Sequence, residues 1–373
     1  MKLNKRTLKL FALGLLAFLH TATRIYAISS SNVVMTIIQY FQYADYLLLL
    51  GGLEVKGYRA KELGLYALLG VVGVVLTFTS GEALFLCAIL AIIVSKKENY
   101  EEICKVLLKG TTIAFALSVL LYILGVSNSG VSRRDAIALG FGHPNVCGSV
   151  ITTMIFLYFS LSDKKYRKRQ WIVLIAGILV NLFVLSSRTT AVLLVLLPII
   201  KWLLPKILKK QNRIIKVIIC LLPILIFTAV MYITINFDYT NPIHYELSQM
   251  LSGRPILNHY NYQQFGFKWL GRRIEIDYTA LQGHNTIDCS YLSVLLQCGI
   301  IGTVVFLLGY MLTLYKSIEK KKYSILAVTI LILLAGIMEN SALEIVSGFP
   351  LIYLADLDGT YEFGRRRRKK NDS

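Results

Sequence analysis

Apolar runs of about twenty residues recur along almost the whole chain, and this repetition limits the folds that are open to it. Of the 373 residues, 55% are hydrophobic and only 16% are charged, whereas a soluble domain carries about a quarter charged residues. An apolar run of this length is what an α-helix needs to cross the hydrocarbon layer of a bilayer. The sequence therefore predicts an all-α integral membrane protein.

Twelve apolar runs are interpreted as membrane spans, of which the fourth and the last are short. The first follows a basic start and lacks a small-residue cleavage site, which predicts a span rather than a signal peptide. The predicted spans cover residues 9–28, 33–52, 62–79, 82–95, 106–126, 146–162, 170–187, 190–207, 214–234, 293–315, 323–338 and 341–357.

One polar and aromatic insert interrupts this pattern late in the chain. It is the only long connection between predicted spans, and we expect it to form short helices at the membrane surface. The predicted organisation is an N-terminal bundle (1–234), the large loop (235–285), the C-terminal spans (286–357) and a basic tail (358–373).

The basic residues are divided unevenly between the two sets of connections. The formal net charge is +19, and most of it falls on the two termini and on every second connection. This positive-inside pattern predicts that both termini lie on the cytoplasmic side of the membrane, and it argues against nucleic acid as a partner. The basic residues left for the outer side are Arg24, Arg133, Arg134, Arg188, Arg254, Lys268, Arg272 and Arg273.

Arginine dominates this outer set, although lysine would serve equally well to set topology. Arginine favours planar, bidentate contacts with phosphate or carboxylate groups. A first candidate stretch precedes the sixth span and holds Arg133, Arg134, His143 and Asn145. It predicts an anion site at a helix N-terminus, or else a turn whose arginines extend to lipid phosphates.

Two further stretches place a single arginine among small polar residues. Arg188 lies in a short turn of Ser and Thr between two spans, where an arginine is costly without a partner. Its alternative interpretation is a capped helix start. Arg254 follows Ser252 and Gly253 in the large loop, and several aromatic residues come after it. Those rings suit stacking on sugars, or they cover the end of the bundle.

A fourth stretch links the large loop to the tenth span and holds His284, Asn285, Asp288 and Tyr291. His284 can exchange a proton near neutral pH, and Asp288 shares its face if the stretch is helical. The alternative is a helix start that Asn285 and Asp288 cap.

Five ionisable residues lie within or beside predicted spans, where isolated charges are costly. They form interior pairs or line the substrate pocket, and pairing is the interpretation that we favour. They are His20, Arg24, Asp45, Glu339 and Glu344.

Taken together, the four stretches resemble the motifs of the O-antigen ligase and polymerase superfamily (Wzy/WaaL) of bacterial envelope enzymes. The similarity covers most of the chain in layout and is specific only in short motifs. One departure is Cys289, which stands where many polymerases of this family have asparagine. The matching pieces are Gly-Phe-Gly-His143-Pro-Asn145, Ser187-Arg188-Thr, Ser252-Gly253-Arg254, and His284-Asn285 with Ser290-Tyr291-Leu.

The resemblance implies a GT-C-like glycosyltransferase whose donor is a polyprenyl-diphosphate-linked oligosaccharide. A polymerase transfers the glycan, with inversion, to another lipid-linked repeat, and a ligase transfers it to a different acceptor. A lipid-glycan flippase is the alternative from another class. The implied partners are membrane lipids and the flippase and chain-length regulator of the same pathway. No cofactor is implied, and the segments predicted on the outer side carry no metal-binding motif of the Asp-x-Asp type.

The resemblance also implies roles for individual residues. Arg188 and Arg254 contact the diphosphate, and His284 accepts a proton from the attacking hydroxyl. The implied substrate-binding residues are Arg133, Arg134, His143, Asn145, Asn285, Asp288 and Tyr291.

Overall fold

The computed structural model describes residues 4–53, 60–127, 136–161, 168–209, 212–277 and 285–355. Within these residues the chain is helical, with one isolated β-bridge and no β-strand. A helix suits an apolar run because it satisfies its backbone N–H and C=O groups within the segment itself. The predicted site residues Arg133, Arg134 and His284 lie outside the described residues.

Helices account for most of the described chain. A π-helical turn, Val180–Val184, continues the eighth helix, and a 3-10 helix, Phe349–Ala355, ends the described chain. The α-helices are α1 (Lys5–Ala22), α2 (Tyr26–Ser29), α3 (Asn32–Gly51), α4 (Ala60–Ser80), α5 (Leu84–Val94), α6 (Tyr100–Ile123), α7 (Pro144–Ser160), α8 (Lys168–Leu179), α9 (Arg188–Lys209), α10 (Arg213–Ile235), α11 (Pro242–Met250), α12 (Arg254–Phe265), α13 (Ser290–Glu319) and α14 (Tyr323–Ala335).

Six of these helices are long and apolar enough to cross a membrane, namely α3, α4, α6, α9, α10 and α13. Helices α5, α7 and α14 are apolar but shorter. With 11 residues, α5 reaches about 16 Å, roughly half of the hydrocarbon thickness. The helices identify a multi-pass membrane protein, whereas the count of twelve spans stays a prediction.

The predicted last span, 341–357, does not form an α-helix in the part of it that the structure describes. Residues 336–348 follow a series of turns, and the 3-10 helix Phe349–Ala355 is only seven residues long. Pro350 cannot donate a helical hydrogen bond, and a Cβ at Gly348 would lie 2.9 Å from the Tyr310 hydroxyl. The segment is buried by its neighbours, which is where non-helical backbone is tolerated in a membrane protein.

Helix α1 packs closely against α6, and the two ends of the bundle carry different groups. Helices α1 and α6 approach backbone to backbone at Gly110, where an added Cβ would meet Gly14 O. We call one end the basic end, because Lys9 pairs there with Glu98 at 3.4 Å and Lys96 pairs with Glu62. The opposite end, which carries α11 and α12, is the loop end.

A kink in α13 fixes the large loop against the bundle. Gly299 has φ 68 and ψ −169 inside this helix, and a Cβ there would lie 2.6 Å from Trp269 O. The loop backbone fills the kink, since Ile300 N donates to Lys268 O at 3.0 Å and Ile301 N donates to Trp269 O at 3.1 Å. The start of α13 and the large loop are therefore held together as one unit at the loop end.

Candidate functional site

Arg254 joins the large loop to the start of α13. It is the first residue of α12 and follows Gly253, whose φ of 84 lies in the left-handed region that suits glycine. Arg254 Nη2 lies 3.3 Å from Asp288 Oδ2, and its side chain is only 14% exposed. The pair brings the third and fourth predicted stretches into contact.

Asn285 supports this pair from the loop side. Its Oδ1 accepts a hydrogen bond from Asn261 Nδ2 at 2.8 Å, and its Nδ2 donates to Asp277 O at 3.1 Å. Asn261 and Asn285 are both buried. The amide of Asn285, which the resemblance implies as a substrate contact, is used here to attach the chain before α13 to α12.

Tyr291 and Ser290 organise the first turn of α13. Tyr291 is fully buried and its hydroxyl donates to Leu333 O at 2.8 Å, so it packs in the interior instead of facing a substrate. Ser290 Oγ accepts from the backbone N of Ser341 and of Ala342, each at 3.0 Å, and donates to Glu339 O at 2.6 Å. This serine lies in one of the sequence motifs, but the sequence does not predict its role, because a single hydroxyl beside a tyrosine gives no signal of three backbone partners.

Arg188 is the first residue of α9, and the turn that carries it is held by a buried polar network. Thr190 Oγ1 donates to Asn181 Oδ1 at 2.6 Å and lies 2.8 Å from Ser187 Oγ. Asn181 belongs to the π-helical turn, a type of distortion that is frequent at functional sites. Arg188 itself is exposed and makes no ion pair with any residue that the structure describes.

The first stretch turns the chain into α7. His143 is exposed and its Nδ1 accepts from Asn145 N at 3.1 Å, which makes it the N-cap of this helix. Gly140 packs against Ser118, and its carbonyl accepts from Tyr26 N at 2.9 Å. His143 therefore caps α7 at the predicted turn, whereas Asn145 is partly exposed on the first turn of the helix.

A narrow cavity with both polar and apolar lining residues lies between α7, α9, α14 and residues 336–348. Its volume is about 20 Å³, which is room for one or two water molecules and too little for a sugar ring. Thr190, two residues after Arg188, and Ser149, four residues after Asn145, both line it. The other polar lining residues are Thr152, Thr153, Glu339, Ser341 and Ser347.

Glu339 is the acidic residue of this cavity. It follows α14, is partly exposed, and its carboxylate makes no hydrogen bond or ion pair with the described residues. Burial raises the pKa of Glu339 to about 7, the positive charge of Arg254 lowers it, and Asp288 raises it. Arg24 and Glu344 also act on it, with opposite signs. The carboxylate therefore lies within electrostatic reach of the Arg254–Asp288 pair.

A second charged group lies deeper in the bundle, beside Thr111 in the middle of α6. Glu344 Oε2 contacts Arg24 Nη2 and lies 3.1 Å from His20 Nε2. The prediction of interior pairing is confirmed for these three residues. It is wrong for Asp45, which is fully buried and has no hydrogen-bond partner for either carboxylate oxygen among the described residues.

The described residues thus bring Arg254 into contact with Asp288 and attach Asn285 to α12 through Asn261. Thr190 of the Arg188 turn and Glu339 line one cavity. The chain shows no match to any family model, to any curated protein or to any solved structure. The family resemblance therefore rests on the sequence motifs alone.

Proposed function

We propose that this protein is a GT-C-like membrane glycosyltransferase that polymerises lipid-linked oligosaccharide repeats outside the cytoplasmic membrane of a bacterium. In this reaction a sugar hydroxyl of one lipid-linked repeat attacks the anomeric carbon of another glycan. The bond to the polyprenyl diphosphate breaks as the new glycosidic bond forms, which inverts the configuration. The mechanism uses no metal, because arginine supplies the positive charge that the leaving diphosphate needs.

The observation that carries the proposal is the Arg254–Asp288 pair at the loop end. The guanidinium is mostly buried, lies 3.3 Å from its carboxylate partner, and its Nε has no hydrogen-bond partner among the described residues. A positioned, partly desolvated arginine stabilises a developing anion far better than one in water. Asp288 keeps the planar group oriented until a diphosphate takes its place.

Arg188 supports the same interpretation as a second diphosphate contact. Its side chain is exposed, while the turn that carries it is held by Asn181, Ser187 and Thr190. A fixed backbone with a free guanidinium suits the capture of a charged headgroup. The role of His284 as proton acceptor remains a prediction from the sequence, since that residue lies outside the described chain.

Reconstitution tests the proposal directly. The full chain would be placed in liposomes with polyprenyl-diphosphate-linked glycans extracted from cells that lack this gene, and products would be separated by length. A ladder of lengthening lipid-linked chains is expected from the native protein and none from Arg254→Ala. Products of unchanged length with the native protein would refute the polymerase.

The deletion strain separates the polymerase from its alternatives. A polymerase predicts accumulation of single-repeat lipid intermediates on the outer face of the membrane. Accumulation of long lipid-linked chains would indicate a ligase of the same fold instead. Accumulation of unflipped intermediates on the cytoplasmic face would indicate a flippase.

A further inference from the structure

We infer that Glu339 is the proton acceptor of the transfer reaction proposed above, and that it takes the proton of the sugar hydroxyl as that oxygen attacks the anomeric carbon. This inference rests on the proposed function and adds a catalytic residue that the motifs of the sequence do not contain. It is carried by the position of the carboxylate, by its lack of a partner, and by the charges around it.

The position of Glu339 is determined by its backbone. Ser290 Oγ donates to Glu339 O at 2.6 Å, and the same hydroxyl accepts from Ser341 N and Ala342 N. These bonds tie residues 339–342 to the first residue of α13, two positions after Asp288. The backbone of Glu339 is therefore attached to the start of α13, and its carboxylate lies within electrostatic reach of the Arg254–Asp288 pair, where the leaving diphosphate is expected.

The carboxylates of this end differ in whether they are free to accept a proton. Glu344 is held by Arg24 and His20, and Asp288 is held by Arg254 at 3.3 Å. The Glu339 side chain is partly exposed as well as lining the cavity, and it has no hydrogen bond or ion pair with the described residues. A general base needs an uncommitted lone pair that a hydroxyl can approach, and in this group Glu339 provides it.

Burial and the surrounding charges bring the pKa of Glu339 close to neutral pH. Burial and the nearby Asp288 and Glu344 raise its pKa, while Arg254 and Arg24 lower it, and the balance lies at about 7. A base whose pKa lies near the working pH is both deprotonated and basic enough to accept a proton. Binding of a diphosphate beside Arg254 would offset that positive charge and raise the pKa of Glu339 further, which makes the base stronger when the donor is present.

The transfer occurs in one step, in which two bonds break, the hydroxyl O–H bond and the glycosyl–phosphate bond, and the glycosidic bond forms. The acceptor O–H bond breaks and its proton moves to Glu339, while the oxygen forms a bond to the anomeric carbon. The electrons of the broken glycosyl–phosphate bond leave with the diphosphate, whose negative charge Arg254 and Arg188 offset. The proton then passes from Glu339 to water, for which the hydroxyl-lined cavity of about 20 Å³ has room.

The test compares Glu339→Gln with the native protein in the liposome assay, with the rate of product formation measured across pH. The native rate should rise with pH through about 7 and then level off. The glutamine variant should be slower by about 10²–10⁴-fold and should lose this step. Glu275→Gln is the control, because Glu275 is an exposed loop residue whose side chain is 85% accessible.

A second measurement does not depend on turnover. N,N′-dicyclohexylcarbodiimide reacts with protonated carboxyl groups, and mass spectrometry would follow its addition to Glu339 as a function of pH. Labelling should fall through about pH 7 in the native protein. In Arg254→Ala it should persist to higher pH, because the charge that lowers the pKa of Glu339 is gone.

The outcomes separate this inference from the proposed function. Glu339→Gln with the native rate and pH profile, in an assay where the native protein is active, would overturn the inference alone. Loss of the pH step in His284→Ala but not in Glu339→Gln would likewise overturn it and assign the proton to the imidazole. No product from the native protein, with normal carbodiimide labelling, would overturn the proposed function itself.

Discussion

Single side chains at the loop end divide according to whether they are already paired. Arg254 is mostly buried and paired with Asp288, whereas Arg188 is exposed and unpaired among the described residues. Both are arginines in short polar turns, so their sequences give no reason to distinguish them. Their surroundings distinguish the two arginines. A buried pair is oriented before the substrate arrives, whereas an exposed arginine is ordered only by binding.

Substitution of Arg254 should therefore lower the activity strongly. Arg254→Ala is expected to lower kcat by about 10²–10³-fold, the usual loss for one positioned donor to a developing anion. Arg254→Lys keeps the charge but not the planar fork, and should recover only part of the rate. Turnover with a fixed lipid-linked donor measures both. Equal activity of the lysine variant and the native protein would show that charge alone matters.

The Arg24–Glu344 contact should act mainly on stability. Glu344→Gln leaves Arg24 in the interior without its counter-charge, and removing one partner of a buried pair costs about 3–5 kcal/mol. The unfolding temperature in detergent should drop clearly. The exposed pair Arg273–Glu275 provides the matched control, since Glu275→Gln at 85% exposure should leave that temperature unchanged. An equal effect of both variants would contradict a structural role for Glu344.

Among the elements, α13 has the largest influence on the site. Its kink at Gly299 receives the backbone of residues 268–272, and its first residue holds residues 339–342. One helix thus positions the large loop, the Arg254–Asp288 pair and Glu339. The short α14 belongs to the same arrangement, because Leu333 O accepts the Tyr291 hydroxyl near its end.

Gly299→Ala should separate the large loop from the bundle. A Cβ at this position would lie 2.6 Å from Trp269 O, and the φ of 68 is strained for any residue but glycine. We expect loss of activity and faster proteolysis within the loop. Gly70→Ala in α4 is the control, since nothing lies within 4 Å of its added Cβ and alanine favours a helix. An active, protease-resistant Gly299→Ala protein would show that the kink is dispensable.

The whole molecule is a helical bundle with charge sorted to one end and polar loop helices at the other. The basic end carries Lys9, Lys96 and their acidic partners, and the loop end carries Arg254. Exposed apolar side chains such as Phe78 (86%) and Phe183 (78%) cover its sides. Such a surface suits the hydrocarbon of a bilayer. Under the proposed function, the polyprenyl chain of the donor would lie against it.

The predicted orientation can be tested by labelling from one side. Among the described residues, Cys220 is the one free cysteine that is partly accessible. Cys220→Ser therefore removes the expected background labelling. In it, Ser252→Cys in the large loop should react with an impermeant maleimide on intact cells. Lys321→Cys at the basic end should react only after permeabilisation. The reverse pattern would place the proposed site in the cytoplasm and end the present assignment.

The sequence alone determined the class of fold and the approximate placement of its helices. Apolar runs of span length predict helices because no other single segment satisfies its own backbone in lipid. Short helices in the large loop also followed from their spacing, and α11 and α12 occur there. The prediction of an α-helix over the last span, 341–357, was wrong for a local reason. Hydropathy depends on the number of apolar residues and does not detect the turns around Gly348 and Pro350.

Only the tertiary structure decided which polar residues meet. Arg254 and Asp288 are far apart in sequence, and they meet where the large loop packs against the start of α13. The interior position of Tyr291 and the unpaired carboxylate of Glu339 likewise follow from how α13, α14 and residues 336–348 pack. Composition reports how many charges a chain carries, but the partner of each charge is determined by long-range packing, which has no signature in local sequence.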